Sequence, residues 1–241
     1  MKSKVFACDM RTTPRENMLQ KLGRLIDALD LGQSIKKRDL VAVKLHFGEK
    51  GNTGFIRPVF IRQVVNKVAD LGAHPFVTDA NTLYVGARSD SVQHLRTAIE
   101  NGFAYSVIGA PLIIADGLKG GAAAEIPINL EHIQTAYIAT DIAEADAFIS
   151  VAHFKLHELS GFGGAVKNTG MGCAARRGKL AQHSSIAPKV KAKMCIGCGD
   201  CVNNCAHSAI ALIEVDGKDK ARIDPKKCVG CGECILICPQ Q

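Results

Sequence analysis

The chain has 241 residues, 47% of them apolar and 22% charged, with a formal net charge of +7. That is enough for one α/β domain with a small appendix, or for two modest domains, and it excludes an intrinsically disordered chain. No apolar run approaches the ~20 residues of a membrane helix, and MKSKVFACDMRTTPRE turns polar too early for a secretory leader, so the expectation is a soluble cytoplasmic protein with no membrane partner.

In chain order, KVFACDM (residues 4–10) is predicted as a strand. Pro14 then suits a helix start, with Met18, Leu22, Leu25, Ile26 and Leu29 recurring at helical spacing. DLVAVKLHF (39–47) predicts a strand that runs into the glycine-rich GEKGNTG. Pro58 opens a second helix with Phe60, Ile61, Val64, Val65, Val68 and Leu71 on its apolar face, and Gly72 closes it. HPFVTDA (74–80) is a further strand, and the stretch from Ser91 to Asn101 a helix ended by Gly102. APLIIADG, EIPINL and QTAYIA are shorter β candidates, and residues 141–154 give a short helical piece followed by a buried strand. This alternation predicts an α/β fold, a mostly parallel sheet flanked by helices, with ligand sites beyond the carboxyl ends of its strands.

The last strand leads into HELSGFGGAVKNTG (157–170), which gathers a histidine, four glycines and a lysine. Glycines there permit positive φ and close backbone approach, so amides can cradle an anion. Lys167, if partly desolvated, can serve as nucleophile or base, and otherwise as a partner for phosphate or carboxylate. The competing reading is a tight strand-to-helix turn with a solvated lysine. From Leu159 to Gly199 the chain has no aspartate or glutamate but seven lysines and arginines, which points to an anion nearby or to a plain basic linker.

Eight of the ten cysteines fall between Cys195 and Cys238. Residues 195–205 read CIGCGDCVNNC and residues 228–238 read CVGCGECILIC, both C-x2-C-x2-C-x3-C. Three closely spaced thiolates can cap three corners of a four-iron cube while the fourth reaches the other cube. Cys195, Cys198, Cys201 and Cys238 are therefore assigned to one [4Fe-4S] cluster, and Cys228, Cys231, Cys234 and Cys205 to a second. Structural zinc normally uses two separated C-x2-C pairs and fits this spacing poorly. IALIEV, DGKD and KARID predict a hairpin between the halves. Each oxidised cluster with its thiolates carries about −2, which would bring the holoprotein to roughly +3. The basicity is thus weak evidence for nucleic acid, as is an aromatic content of 5% with no tryptophan. The paired motifs resemble the bacterial two-cluster ferredoxin module, a small α+β domain, over roughly residues 188–241; Ala206 stands where that family usually has proline. The domain expectation is an α/β unit over 1–177, a basic linker over 178–192 and a ferredoxin-type unit over 193–241.

VKLHFGEKGNTGFIRP, TDANTLYVGARSDSVQHL, GAPLIIADGLKG and HELSGFGGAVKNTGMG together resemble the domain-of-unknown-function 362 family over about residues 3–185. That resemblance implies an α/β domain of the kind often fused to ferredoxin modules, with no established activity. His157, Lys167 and His183 are also similar to residues of the lactate racemase family, which holds a nickel-pincer nucleotide on a lysine. That likeness implies a tethering role for Lys167, site histidines at His157 and His183, and a substrate-side turn at Arg57–Pro58. The chain lacks the second half of those racemases.

His46, Arg57, Asp79, Asn81 and Arg88 lie on strand-end loops and are read as ligand-binding candidates with Gly161, Gly163 and Gly164; Lys167, His157 and His183 are the catalytic candidates. His74, His94 and His132 are read as surface or helix residues, His207 as a residue that tunes a cluster, and Cys173 as a small packing residue. His153 and His157, four apart, form a weaker two-histidine metal candidate at a strand end. Three functional readings follow. In the first, a redox enzyme or redox-enzyme component passes single electrons between two clusters and a ligand in the α/β domain, with a redox partner protein or a small anionic ligand. The second is an isomerase-like or cofactor-handling enzyme centred on Lys167, with an additional organic or nickel cofactor. The third is a non-catalytic electron carrier or iron–sulfur sensor.

Overall fold

The computed structural model describes residues 3–84, 86–157, 160–183, 188–228 and 233–240. Residues 4–10, expected as a strand, form none: Val5 and Met10 are 89% and 75% exposed, so the segment has no apolar face to bury against a sheet. Helix α1 (Met18–Ala28) starts later than Pro14 suggested. Asn17 accepts a hydrogen bond from the Gln20 backbone N–H, and the Gln20 side chain accepts from Asn17 N–H, a reciprocal cap that fixes the start.

Strand β1 (Leu40–Lys44) is followed by α2 (Pro58–Asp70), with proline at its first turn, and by β2 (His74–Asp79). Helix α3 (Ser91–Glu100) is capped by Asp90, and the short α4 (Tyr105–Ile108) precedes β3 (Leu112–Ile114). A hairpin of β4 (Ala123–Pro127) and β5 (Thr135–Ala139) and the short α5 (Thr140–Ala143) lead to β6 (Ala147–Ser150). The main sheet is wholly parallel, in the order β3-β2-β1-β6. Val41, Ala42 and Val43 of its central strand are fully buried, as a strand covered on both faces must be. Ile61, Val64 and Val65 of α2 join Val43, Val77, Phe47 and Phe103 in the principal core.

From β1 the chain steps through β2 to β3 and then returns to place β6 on the other side of β1. The strand order reverses between β1 and β6, and crevices at such points are where parallel sheets bind ligands. After β6 comes a hairpin of β7 (Lys155–His157) and β8 (Gly161–Gly163), then α6 (Ala165–Gly170) and α7 (Arg176–His183). The competing reading of residues 157–170 as a tight strand-to-helix turn is thus not what forms, since the segment is a hairpin followed by a helix. Residues 178–183, assigned to a linker on sequence, belong to α7, where Gly178 and Lys179 are buried. In the C-terminal part, α8 (Asp200–Asn203) precedes an antiparallel hairpin of β9 (Ile210–Val215) and β10 (Lys218–Ile223), as predicted, and α9 (Glu233–Leu236) follows. Asp216 and Gly217 turn it with φ of 52° and 71°, the left-handed pair a two-residue hairpin needs.

Candidate functional site

Two concave sites stand out. The first, of about 330 Å³, lies in the C-terminal part and is lined by Cys195, Cys198, Cys201, Cys234 and Cys238 among apolar side chains such as Ile196, Ile210 and Leu212. Cys195, Cys198 and Cys201 come from the first motif and Cys238 from the second. Burial raises the Cys201 thiol, and the neighbouring sulfurs of Cys198, Cys195 and Cys238 raise it further, so these four face one another closely enough to repel as thiolates. Backbone N–H groups of Ala221 and Gly197 point at the Cys195 sulfur and hold its thiol below the ordinary range, the Ala221 contact being 3.3 Å. Cys205 Sγ likewise accepts from Ala209 N–H at 3.3 Å. Gly197 has φ +73°, and a Cβ there would lie 2.5 Å from the Asp219 carbonyl, so the cysteine loop packs on β10 only with glycine. Cys231 lies outside the described residues. The described cysteines form no disulfide, and no three described His, Cys, Asp or Glu side chains are grouped to hold a single ion. Converging, amide-supported thiols in an apolar pocket suit an iron–sulfur cluster, whose iron offsets thiolate repulsion.

The second site is a cavity of about 390 Å³ at the carboxyl ends of β1, β2 and β6. Its floor is a buried charge network. Lys44, 1% exposed, lies 3.0 Å from Asp79 Oδ1 and donates to Asn168 Oδ1 at 2.8 Å. Asp79 Oδ2 is 3.3 Å from Arg88 and 3.5 Å from His94. Burial alone would raise the Asp79 carboxyl, but Lys44, His94 and Arg88 together hold it well below the usual range. Arg88 also pairs with Glu49, and the Tyr84 hydroxyl donates to the same carboxylate at 2.7 Å. His46 accepts the Gly48 N–H at Nδ1, 2.9 Å away, and burial, then Arg88, push its imidazole down to about 3.

The opposing residues come from the β7–β8 hairpin, α6 and α7. Lys167 Nζ touches His157 Nε2, and burial, then Lys155, lowers the Lys167 amine. His183, Gly163 and Gly164 line the same cavity. Lys179, buried in α7, donates to the Ala174 carbonyl, and burial brings its amine down to about 8. Helix α7 is placed by Arg176, which donates to the carbonyls of Thr82 at 3.0 Å and Ser89 at 2.6 Å and so pins the loop that carries Tyr84 and Arg88.

Of the sequence candidates, His46, Asp79, Arg88, His157, Gly163, Gly164, Lys167 and His183 come together around this cavity. Three do not. Arg57 is exposed ahead of α2, and Gly161 faces open space. Asn81 is buried behind the cavity, donating to Asp116 at 2.8 Å and to Ser91 at 3.1 Å. Lys44, Lys179, Tyr84, Lys155 and Asn168 also line it and were not singled out. Lys44 had a legible signal, a lone lysine in the otherwise apolar run LVAVKL; Lys179 had none, because its segment reads as basic linker. His94 lies on a helix as expected but is fully buried, since α3 turns it toward Asp79. His74 and His132 are exposed, and Cys173 is buried against Ala139 and Ile142. His153 lines the cavity with its ring 6.4 Å from that of His46. His207, two residues after Cys205, has a buried Nε2 without a hydrogen-bond partner among the described residues and lies where the Leu83 backbone and Arg176 act on its ring.

A parallel α/β domain with a strand-end cavity, joined to a cysteine cradle built on a hairpin, defines an iron–sulfur protein of two parts. The model of the family described as domain of unknown function (DUF362) matches residues 41–217, and that of the 4Fe-4S dicluster domain matches residues 194–241. The chain belongs to the DUF362 family and carries a 4Fe-4S dicluster domain at its C-terminal end. No curated protein matches it. The likeness to lactate racemases is not among these matches and rests on His157, Lys167, His183 and the Arg57–Pro58 turn of the sequence.

Proposed function

We propose that the protein holds two [4Fe-4S] clusters and exchanges single electrons between them and a ligand bound in the α/β cavity, as a redox enzyme or a component of one. The observation that carries this reading is the pocket where Cys195, Cys198 and Cys201 meet Cys238 of the other motif, the crosswise pattern of two-cluster modules. Cys205, Cys228, Cys231 and Cys234 are the ligands proposed for the second cluster. The clusters would supply one-electron chemistry. The protein's own part is to seat the thiolates with backbone amides and to hold a ligand among fixed charges. The approach of His207 to Leu83, which lines the cavity, supports contact between the two halves next to Cys205. On this reading the α/β unit runs through α7, a short segment follows, and the ferredoxin-type unit begins near residue 193.

Paramagnetic resonance of the dithionite-reduced, anaerobically purified protein tests it. Two interacting cluster signals are expected, and Cys238→Ser should disturb the first cluster while leaving a signal from the second. A single non-interacting signal in the wild type would contradict the assignment.

A second reading is favoured by the contact of Lys167 with His157: an isomerase-like or cofactor-handling enzyme in which Lys167 bears or binds an additional cofactor. Intact mass of the anaerobic protein decides it, since an adduct on Lys167 supports the idea and an unmodified chain without copurifying nickel removes it.

A further inference from the structure

The cavity is lined by an unbalanced set of charges. Lys44, Arg88, Lys155, Lys167 and Lys179 face it, while Asp79 is the one carboxylate among the described lining residues. Asp79 is already engaged by Lys44 at 3.0 Å and Arg88 at 3.3 Å, and Arg88 is further paired with Glu49. The described residues give Lys155, Lys167 and Lys179 no carboxylate within salt-bridge reach.

Lys179 is the costly member. The residue is 7% exposed, and its amine has the Ala174 carbonyl as a hydrogen-bond acceptor. Burial disfavours its ammonium form, and Asp116 and Asp79 offset this only from beyond salt-bridge reach, whereas a helix that only needed to pack on β5 would place an apolar residue there. Lys167 on α6 and Lys155 on the hairpin add charge to a second wall of the same space. Partly enclosed pockets of this volume hold small organic ligands with a few fixed polar contacts.

We infer that the cavity is a binding site for a small-molecule oxyanion with at least two negative charges, carboxylate or phosphate, contacted at depth by Lys179 and on the hairpin side by Lys155 and Lys167. The inference rests on the reading that the cavity holds the ligand of the redox protein, and it names that ligand's chemistry. Around the Lys179 amine, Asp116 and Asp79 favour the charged form while burial, Lys44 and Arg88 oppose it. A bound oxyanion adds to the first group, so binding takes up a proton above pH 8 and weakens as pH rises further.

Titration calorimetry on the anaerobically purified holoprotein, with clusters left oxidised, tests this. The probes are pyrophosphate, succinate and the uncharged, isosteric succinamide. At least one dianion should bind and succinamide should not, and which dianion binds better separates phosphate from carboxylate. Lys179→Met should weaken binding at least tenfold, and Lys155→Met severalfold, while Lys119→Met, on an exposed turn outside the cavity, should leave it unchanged. If Lys179→Met fails to fold, Lys155→Met on the exposed hairpin carries the comparison. Equal affinity for succinamide and the dianions, or wild-type affinity in the folded lysine variants, would overturn the inference. A holoprotein lacking iron would end the electron-transfer reading and leave this binding measurement intact.

Discussion

Asp79 shows how single residues set the cavity. It ends β2 at the point where Lys44 ends β1, and parallel register places the two carboxyl ends side by side. The result is a buried carboxylate held by three cationic or hydrogen-bonding side chains, which stays charged at any physiological pH. Asp79→Asn removes the counter-charge of the fully buried Lys44 and one of the two carboxylates that pair Arg88, and a loss of about 3–5 kcal/mol in unfolding free energy is expected by denaturant titration. His46 behaves in the opposite sense. Its unfolded-state imidazole titrates near 6.5 while the folded ring resists protonation until about 3. Between those values the unfolded chain binds the extra proton, so the stability His46 contributes is whole above pH 6.5 and is lost progressively as pH falls toward 3. Thermal melts should therefore show a drop between pH 7 and pH 5.5 that exceeds that of His46→Asn by about 2–4 °C. Asp79, Arg88 and His46 were legible in the sequence because polar residues at the ends of apolar runs mark strand-end loops. Asn81 has the same mark and points the other way, since alternation at a strand end is lost once the chain leaves the sheet.

At the scale of elements, periodicity located what is buried and misjudged what is not. LVAVK, HPFVTD and PVFIRQVVNKVAD have apolar patterns that match β1, β2 and α2 because those elements bury whole faces. KVFACDM has equal β propensity but meets no partner strand, and propensity alone does not order a strand. Helix α7 is the converse case: RRGKLAQH is strongly polar, yet Gly178 and Lys179 are buried. What makes it an integral part is close packing, because a Cβ on Gly178 would sit 2.4 Å from the Tyr137 carbonyl and 3.0 Å from the Ala174 side chain. Gly178→Ala should cost about 1–3 kcal/mol by overpacking, read as a lowered denaturation midpoint; a neutral result would mean that α7 is not seated on β5. The basic stretch from Lys167 to Lys191, of which residues 178–192 were expected as a linker, divides its charges. Lys167 and Lys179 face the cavity, Arg177 pairs with Glu125 at 2.6 Å, and Lys189 and Lys191 line the cysteine pocket.

The whole molecule joins a parallel sheet, whose strand order reverses beside β1, to a cysteine cradle stiffened by one hairpin. Cysteine spacing alone made the cradle legible, because a cluster demands ligands at fixed intervals whatever the surrounding fold. The cavity was only partly legible, since its walls come from segments more than a hundred residues apart, as Lys44 and Asn168 are. Among the described residues no helix is long and apolar enough to cross a membrane. Electron transfer by this protein requires iron and sulfide in its C-terminal part, and chemical analysis of protein purified without oxygen measures both directly. About eight iron and eight acid-labile sulfide per chain are expected for two four-iron cubes. Zinc in place of iron, or iron without sulfide, would contradict it.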